Sequence, residues 1–105
     1  MKKELKDKMI ADIMDEFDFE KVHDIMKYLN WEWAIGNGES AVPSMWRIME
    51  QAKHLLEEVA GREDGKCSYI STGGFMAMKH EDCSLTLHFV LESFDADIEF
   101  YEEEE

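Results

Sequence analysis

Proline, cysteine and long apolar runs are all scarce in this sequence, and each scarcity removes possibilities. The single proline is Pro43, and no interdomain linker or internal repeat is visible. The only cysteines are Cys67 and Cys83. They are too few for a disulfide framework, and in a chain without an export signal they read as reduced thiols. No apolar stretch approaches the roughly 18 residues of a membrane-spanning helix. Met1-Lys2-Lys3-Glu4 is not followed by the apolar core of a signal peptide, so the expected location is cytoplasmic. Base is the last scarcity: 11 Lys and Arg stand against 25 Asp and Glu, a formal charge of -14.

The excess acid is uneven. Glu92 to Glu105 holds eight acidic residues and no Lys or Arg, leaving 17 acidic and 11 basic residues before it. Such a surface repels DNA, RNA and anionic membrane and attracts cations or basic protein surfaces. Direct nucleic-acid binding and membrane association are therefore not expected. An acidic protein can still occupy the basic groove of an enzyme that handles nucleic acid.

The 105 residues are 45% apolar, including six Phe, three Trp, three Tyr and eight Met. That is enough for one compact domain with a modest core, unlike a disordered acidic tract. Residues 4–16 predict a first helix on the spacing of Leu5, Met9 and Ile13, a thin stripe. Asp18 is placed to cap a second helix reaching about Trp33 through Phe19, Val22, Ile25, Met26 and Leu29. Gly36-Asn37-Gly38-Glu39-Ser40 then reads as a turn or exposed loop. Pro43 suits the first turn of a third helix, which runs through Met45, Ile48, Met49, Ala52, Leu55, Leu56 and Val59 to a stop at Gly61.

Beyond Gly65 the apolar period changes to two. Residues 66–79 and 84–92 predict two strands joined around Glu81-Asp82, with Gly73-Gly74 as an irregularity within the first. Pairing Met78 with Leu85 sets Met76 opposite Leu87 and Gly74 opposite Phe89, which makes one face apolar. The other face then carries Phe75 opposite His88 and Gly73 opposite Val90, with Tyr69 further along, and calls for a cover. Phe94 to Tyr101 alternates and extends the second strand or forms a third. The expected fold is α+β: two or three helices packed against a small antiparallel sheet built on a hairpin. A single domain over 1–100 is followed by an unordered acidic terminus at 101–105.

Sites of chemistry are thin. His80-x-x-Cys83 is the one close pair of soft ligands, and the assumed register keeps Cys67 away from it, so no metal site is expected. Glu81 and Asp82 disfavour a Cys83 thiolate. Asp12 and Glu16 read as a solvated helix face. Asp95-x-Asp97-x-Glu99 puts three carboxylates on one side of a strand, without the pattern of a calcium loop. Gly73-Gly74 lacks the spacing of a phosphate loop. No catalytic residue, cofactor or metal ligand is assigned.

The candidate interaction residues are Trp31, Trp46, Phe75, His88, Asp95, Asp97, Glu99 and Tyr101. Trp31 and Trp46 sit at the margins of their helical stripes, as interface anchors would. Phe75 and His88 lie on the face that needs covering, and the remainder belong to the acidic segment.

Phe17-Asp18-Phe19-Glu20-Lys21-Val22, Leu29-Asn30-Trp31-Glu32-Trp33, Val42-Pro43-Ser44 and Gly73-Gly74-Phe75 resemble landmarks of small uncharacterised bacteriophage and prophage proteins, over roughly residues 17–92. The resemblance implies an accessory role in phage–host biology and brings no activity with it. The expected function is a non-enzymatic, acidic protein-interaction module whose partner is a host or phage protein with a basic surface. One version is a phage-encoded inhibitor or decoy. The alternatives are a small-ligand or divalent-cation-binding protein and a phage structural or assembly component, with self-association through the sheet.

Overall fold

The computed structural model describes residues 2–91 and 98–104. The order of elements is α1 (Lys3–Glu16), α2 (Phe19–Leu29), β1 (Trp33–Gly36), β2 (Glu39–Ala41), α3 (Met45–Ala60), β3 (Ser68–Thr72), β4 (Phe75–Lys79), β5 (Leu85–Leu91) and β6 (Ile98–Glu104). β1 and β2 form a small hairpin, and the other four strands form an antiparallel meander in the order β3-β4-β5-β6. This is an α+β fold. Among the described residues no helix is long and apolar enough to cross a membrane.

The helices form where local signals and apolar spacing agree. α1 buries Ile10 and Ile13, and Phe17 closes it by donating its N–H to the Ile13 carbonyl. Leu5, expected in the stripe, is half exposed. Asp18 caps α2 by accepting from the Lys21 N–H at 3.0 Å. The helix ends four residues earlier than its apolar spacing predicted. Asn30 takes a left-handed conformation (φ 52), and the Trp31 and Asn30 N–H groups bond back to the Met26 and Lys27 carbonyls. That pattern terminates a helix outright, so Trp33 opens β1 instead of continuing α2. Asn37-Gly38, with positive φ at both residues, is the tight turn joining β1 to β2. In α3 the cap is Ser44, accepting from the Arg47 N–H. Pro43 precedes the cap and is buried.

Two turns set the sheet. Gly73-Gly74 is a two-residue turn with φ of 59 and 89, so the segment read as one long strand is the β3–β4 hairpin. The β4–β5 turn contains three residues, Glu81, Asp82 and Cys83, with Cys83 left-handed at φ 71. His80 N–H bonds to the Ser84 carbonyl across it. One more residue in that turn shifts the register by one: Met78 pairs with Thr86, Met76 with His88 and Phe75 with Phe89. A slip of one residue exchanges a strand's faces. The faces of β3 and β5 match expectation, while β4 is inverted. Phe75, assigned above to the face needing cover, is buried in the core.

The core face of the sheet presents Phe75, Ala77, Leu85, Leu87 and Phe89 to Ile13, Val22, Met26, Ile48, Leu56 and Val59 from the helices. α3 lies across β3, β4 and β5, and α1 packs beside it over β5 and β6. An aromatic chain runs through this layer. Phe17 meets Phe19 at 4.9 Å between ring centroids, Phe75 meets Phe89 at 5.3 Å, and Phe89 meets Trp31 at 5.6 Å. Tilted pairs at these distances add to the burial of each ring.

The inversion of β4 also turns Lys79 inward, where it is 0% exposed. Its ammonium donates to the Ala60 carbonyl at 3.2 Å, the Arg62 carbonyl at 2.6 Å and Asp64 Oδ1 at 2.5 Å. The cation thus sits at the C-terminal end of α3, where a positive charge is favoured. Lys79→Met should lower the unfolding free energy by about 2–3 kcal/mol, because buried acceptors lose their donor; urea titration at neutral pH measures it. The Lys79 hydrogen bond also holds the Asp64 carboxyl well below its ordinary value of 3.8. A depressed acid contributes stability that is complete above the ordinary value and drains away as pH falls toward the folded-state value. Asp64→Asn should therefore flatten the loss of stability below about pH 4, seen by repeating the titrations at acid pH. A residual slope is expected from Asp82, which hydrogen bonds from Ser84 hold low.

Candidate interaction surface

The sheet has a second face that no helix covers among the described residues. Its positions follow from the register: Tyr69 and Ser71 on β3, Met76 and Met78 on β4, Thr86, His88 and Val90 on β5. Met76, Met78 and Val90 are partly exposed and stand apart from the core. Tyr69 is 62% exposed. Thr86, though on this face, is buried, and its hydroxyl lies 3.1 Å from His80 Nε2. The register rows continue onto β6, where Glu103 pairs with Thr86, Tyr101 with His88 and Glu99 with Val90.

One end of the face is closed by the β3–β4 turn and two tryptophans. Trp33 lies so close over Gly73 that a Cβ there would sit 2.8 Å from its ring. At Gly74 an added Cβ would sit 2.6 Å from Phe89 and 3.1 Å from Trp31. The glycines serve twice, supplying positive φ and letting the rings settle onto the backbone. Trp33 Nε1 is buried without a hydrogen-bond partner among the described residues. Beside this clasp, Trp31, Ser71, Thr72, Gly74, Met76 and Val90 line a hollow of about 480 Å³ that opens onto the outer face.

Both edges of the sheet resist further strand pairing. At β3 the Arg62 guanidinium donates to the outward Tyr69 carbonyl at 3.2 Å, and β3 is only five residues long. The other edge is β6, whose sequence Ile-Glu-Phe-Tyr-Glu-Glu-Glu carries four carboxylates. Short, capped or charged edges are how sheets avoid adding foreign strands.

The eight residues singled out from the sequence do not form one site. Trp46 is 68% exposed at the start of α3, on the helical side of the molecule. Trp31 is partly buried in the clasp, Phe75 is core, and His88 is on the outer face. Glu99 and Tyr101 fall within β6. Asp95 and Asp97 lie outside the described residues. Sequence reasoning missed Met76 and Met78, which the assumed register had turned inward. A Gly-Gly pair between alternating segments was the available signal, since it is a hairpin turn as readily as a strand defect.

The ligand-type residues gather less than the corrected topology allows. Cys67 precedes Ser68, which pairs with Lys79, so it lies at the same end of the sheet as His80 and Cys83 and not remote from them. Even so, no three His, Cys, Asp or Glu side chains among the described residues are grouped to hold a metal ion. Both cysteines are free thiols.

No family model, curated protein or solved structure matches this chain.

Gly74→Ala should destabilise the fold by about 3 kcal/mol, combining a left-handed alanine with a collision against Phe89. Thermal unfolding measures the loss, and a red shift of tryptophan emission should accompany it as Trp31 lifts from the turn. Wild-type stability in this variant would mean that the clasp is not tightly packed.

Proposed function

We infer that this protein is a non-enzymatic, acidic protein-interaction module whose partner presents a basic surface. One observation carries the reading: the most acidic part of the chain includes a strand, β6, paired onto the edge of a sheet whose outer face no helix covers among the described residues. Negative charge is thereby concentrated along one edge of the sheet. It steers a basic partner toward the neighbouring face and raises the encounter rate, an effect that fades with salt. Phage–host biology, suggested by the sequence landmarks, supplies a concrete version in which the module blocks the nucleic-acid-binding groove of a host protein.

Neutralising the terminal run with Glu102→Gln, Glu103→Gln, Glu104→Gln and Glu105→Gln separates steering from contact. For a partner recovered at low salt from the host, the association rate should fall about tenfold and its salt dependence should shrink, with dissociation less affected. Surface plasmon resonance over a salt series reads both rates. Partners that bind independently of salt and lack a basic face would overturn the reading.

A further inference from the structure

We propose that a hollow between β1, α3 and the β3–β4 turn binds a small zwitterion of the amino-acid class, its carboxylate on Arg47 and Gln51 and its ammonium on Glu32. This site is separate from the outer sheet face, and nothing in it depends on the acidic-module reading.

The hollow holds about 360 Å³, and Glu32, Trp33, Arg47, Gln51, Thr72 and Gly73 line it. That is toward the small end for ligand sites and suits a molecule of amino-acid size. Three separate segments build it. Glu32 and Trp33 lead into β1, Arg47 and Gln51 stand one turn apart on α3, and Thr72-Gly73 enters the β3–β4 turn. Ser44 caps the start of α3, and the indole of Trp33 rests on Gly73, so these segments are fixed locally. Residues four apart on a helix share a face, which brings the guanidinium of Arg47 and the amide of Gln51 to one wall.

The electrostatics of the hollow are those of an unmade ion pair. Lys3, Lys8, Lys27, Lys66 and Lys79 each close on a carboxylate. Arg47 and Glu32 line one hollow and do not close on each other, and among the described residues the guanidinium has no hydrogen-bond or ion-pair partner. Glu32 is held instead by the Ser40 hydroxyl, which donates to its Oε2 at 3.2 Å. A cation and an anion kept apart across a hollow match a ligand that carries both charges. A simple anion gains from Arg47 but is repelled by Glu32, and a simple cation meets the reverse. The guanidinium fork takes a carboxylate through two bonds, and Gln51 and Thr72 add neutral donors. Trp33 Nε1 lies beside Gly73, buried and without a partner among the described residues. An oxygen brought into the hollow, directly or through a water, gives that N–H the acceptor it lacks. Arg47 and Glu32 are both exposed, so each charged contact changes affinity only a few-fold and the ligand exchanges readily.

The test uses the full chain, labelled with 15N, and three probes: leucine, N-acetylleucine, which lacks the ammonium, and leucinamide, which lacks the carboxylate. Salt at roughly 0.15 M screens the overall charge of the chain, and affinity is read at the Trp33 indole N–H, Thr72 and Gly73. Leucine should bind there about fivefold more tightly than either truncated probe, the scale of one exposed ion pair. Arg47→Gln should weaken leucine by about fivefold, and Arg47→Lys, which keeps the charge without the fork, should fall between. Glu32→Gln should remove the preference over N-acetylleucine. Lys53→Gln, a cation on α3 outside the hollow, should change nothing. All of these side chains are exposed, so thermal unfolding of each variant should match that of the wild type. Equal binding of the three probes, shifts confined to other regions, or no shift up to the solubility of leucine would overturn the proposal and leave the acidic-module reading untouched.

Discussion

β4 is held between a two-residue turn at Gly73-Gly74 and a three-residue turn ending at Cys83, and the rest of the sheet depends on that constraint. Had the second turn been shorter by one, Met76 and Met78 would face the helices, and Phe75 would face outward. The aromatic chain from Phe17 to Trp31 would then lose its middle member. Lys79 would point outward as well, and the end of α3 would lose its tie to the sheet. Core, outer face and helix anchorage are three consequences of one register.

The two ends of β4 are secured by different physics. At Gly73-Gly74 the fixing is steric, because two indoles and Phe89 occupy the space any Cβ would need. At Lys79 it is electrostatic, with an ammonium shared among two carbonyls and a carboxylate. The first is insensitive to pH and salt, and the second weakens in acid. Between them the sheet presents a face that no helix covers among the described residues, with one edge capped and the other acidic, which is the condition for a face to serve as an interface instead of a site of aggregation.

Helices were more legible than strands, and particular residues show why. α3 was readable along nearly its whole length because its apolar residues repeat over four turns. α2 was overextended because Trp33 stands four residues after Leu29, a spacing that periodicity cannot distinguish from a real helical neighbour. What stopped the helix was Asn30, whose left-handed conformation is only a tendency at the level of sequence. The β4 register was hidden for a related reason. A left-handed cysteine is uncommon, so nothing local announces that Cys83 belongs to the turn. The inward and outward assignments of β3 and β5 survived because alternation within a strand does not depend on its partner. Of the candidate site, His88 and the acidic character of the last strand were legible. The tryptophan clasp was not, since it is made by residues about 40 positions apart folding onto glycines.

A sheet whose strands pair only with their neighbours in the chain has a kinetic consequence. The β3–β4 and β4–β5 hairpins close loops of two and three residues, so these strands can assemble by local steps on the microsecond scale. The helices have less autonomy: α3 packs on both α1 and α2, but the sides that α1 and α3 turn to the strands are hidden only once the sheet exists. The amino-terminal half, which leaves the ribosome first, must therefore wait with those sides uncovered for the quickly forming half still to be synthesised. For this topology, the interval between the two is set by translation and not by the search for the fold.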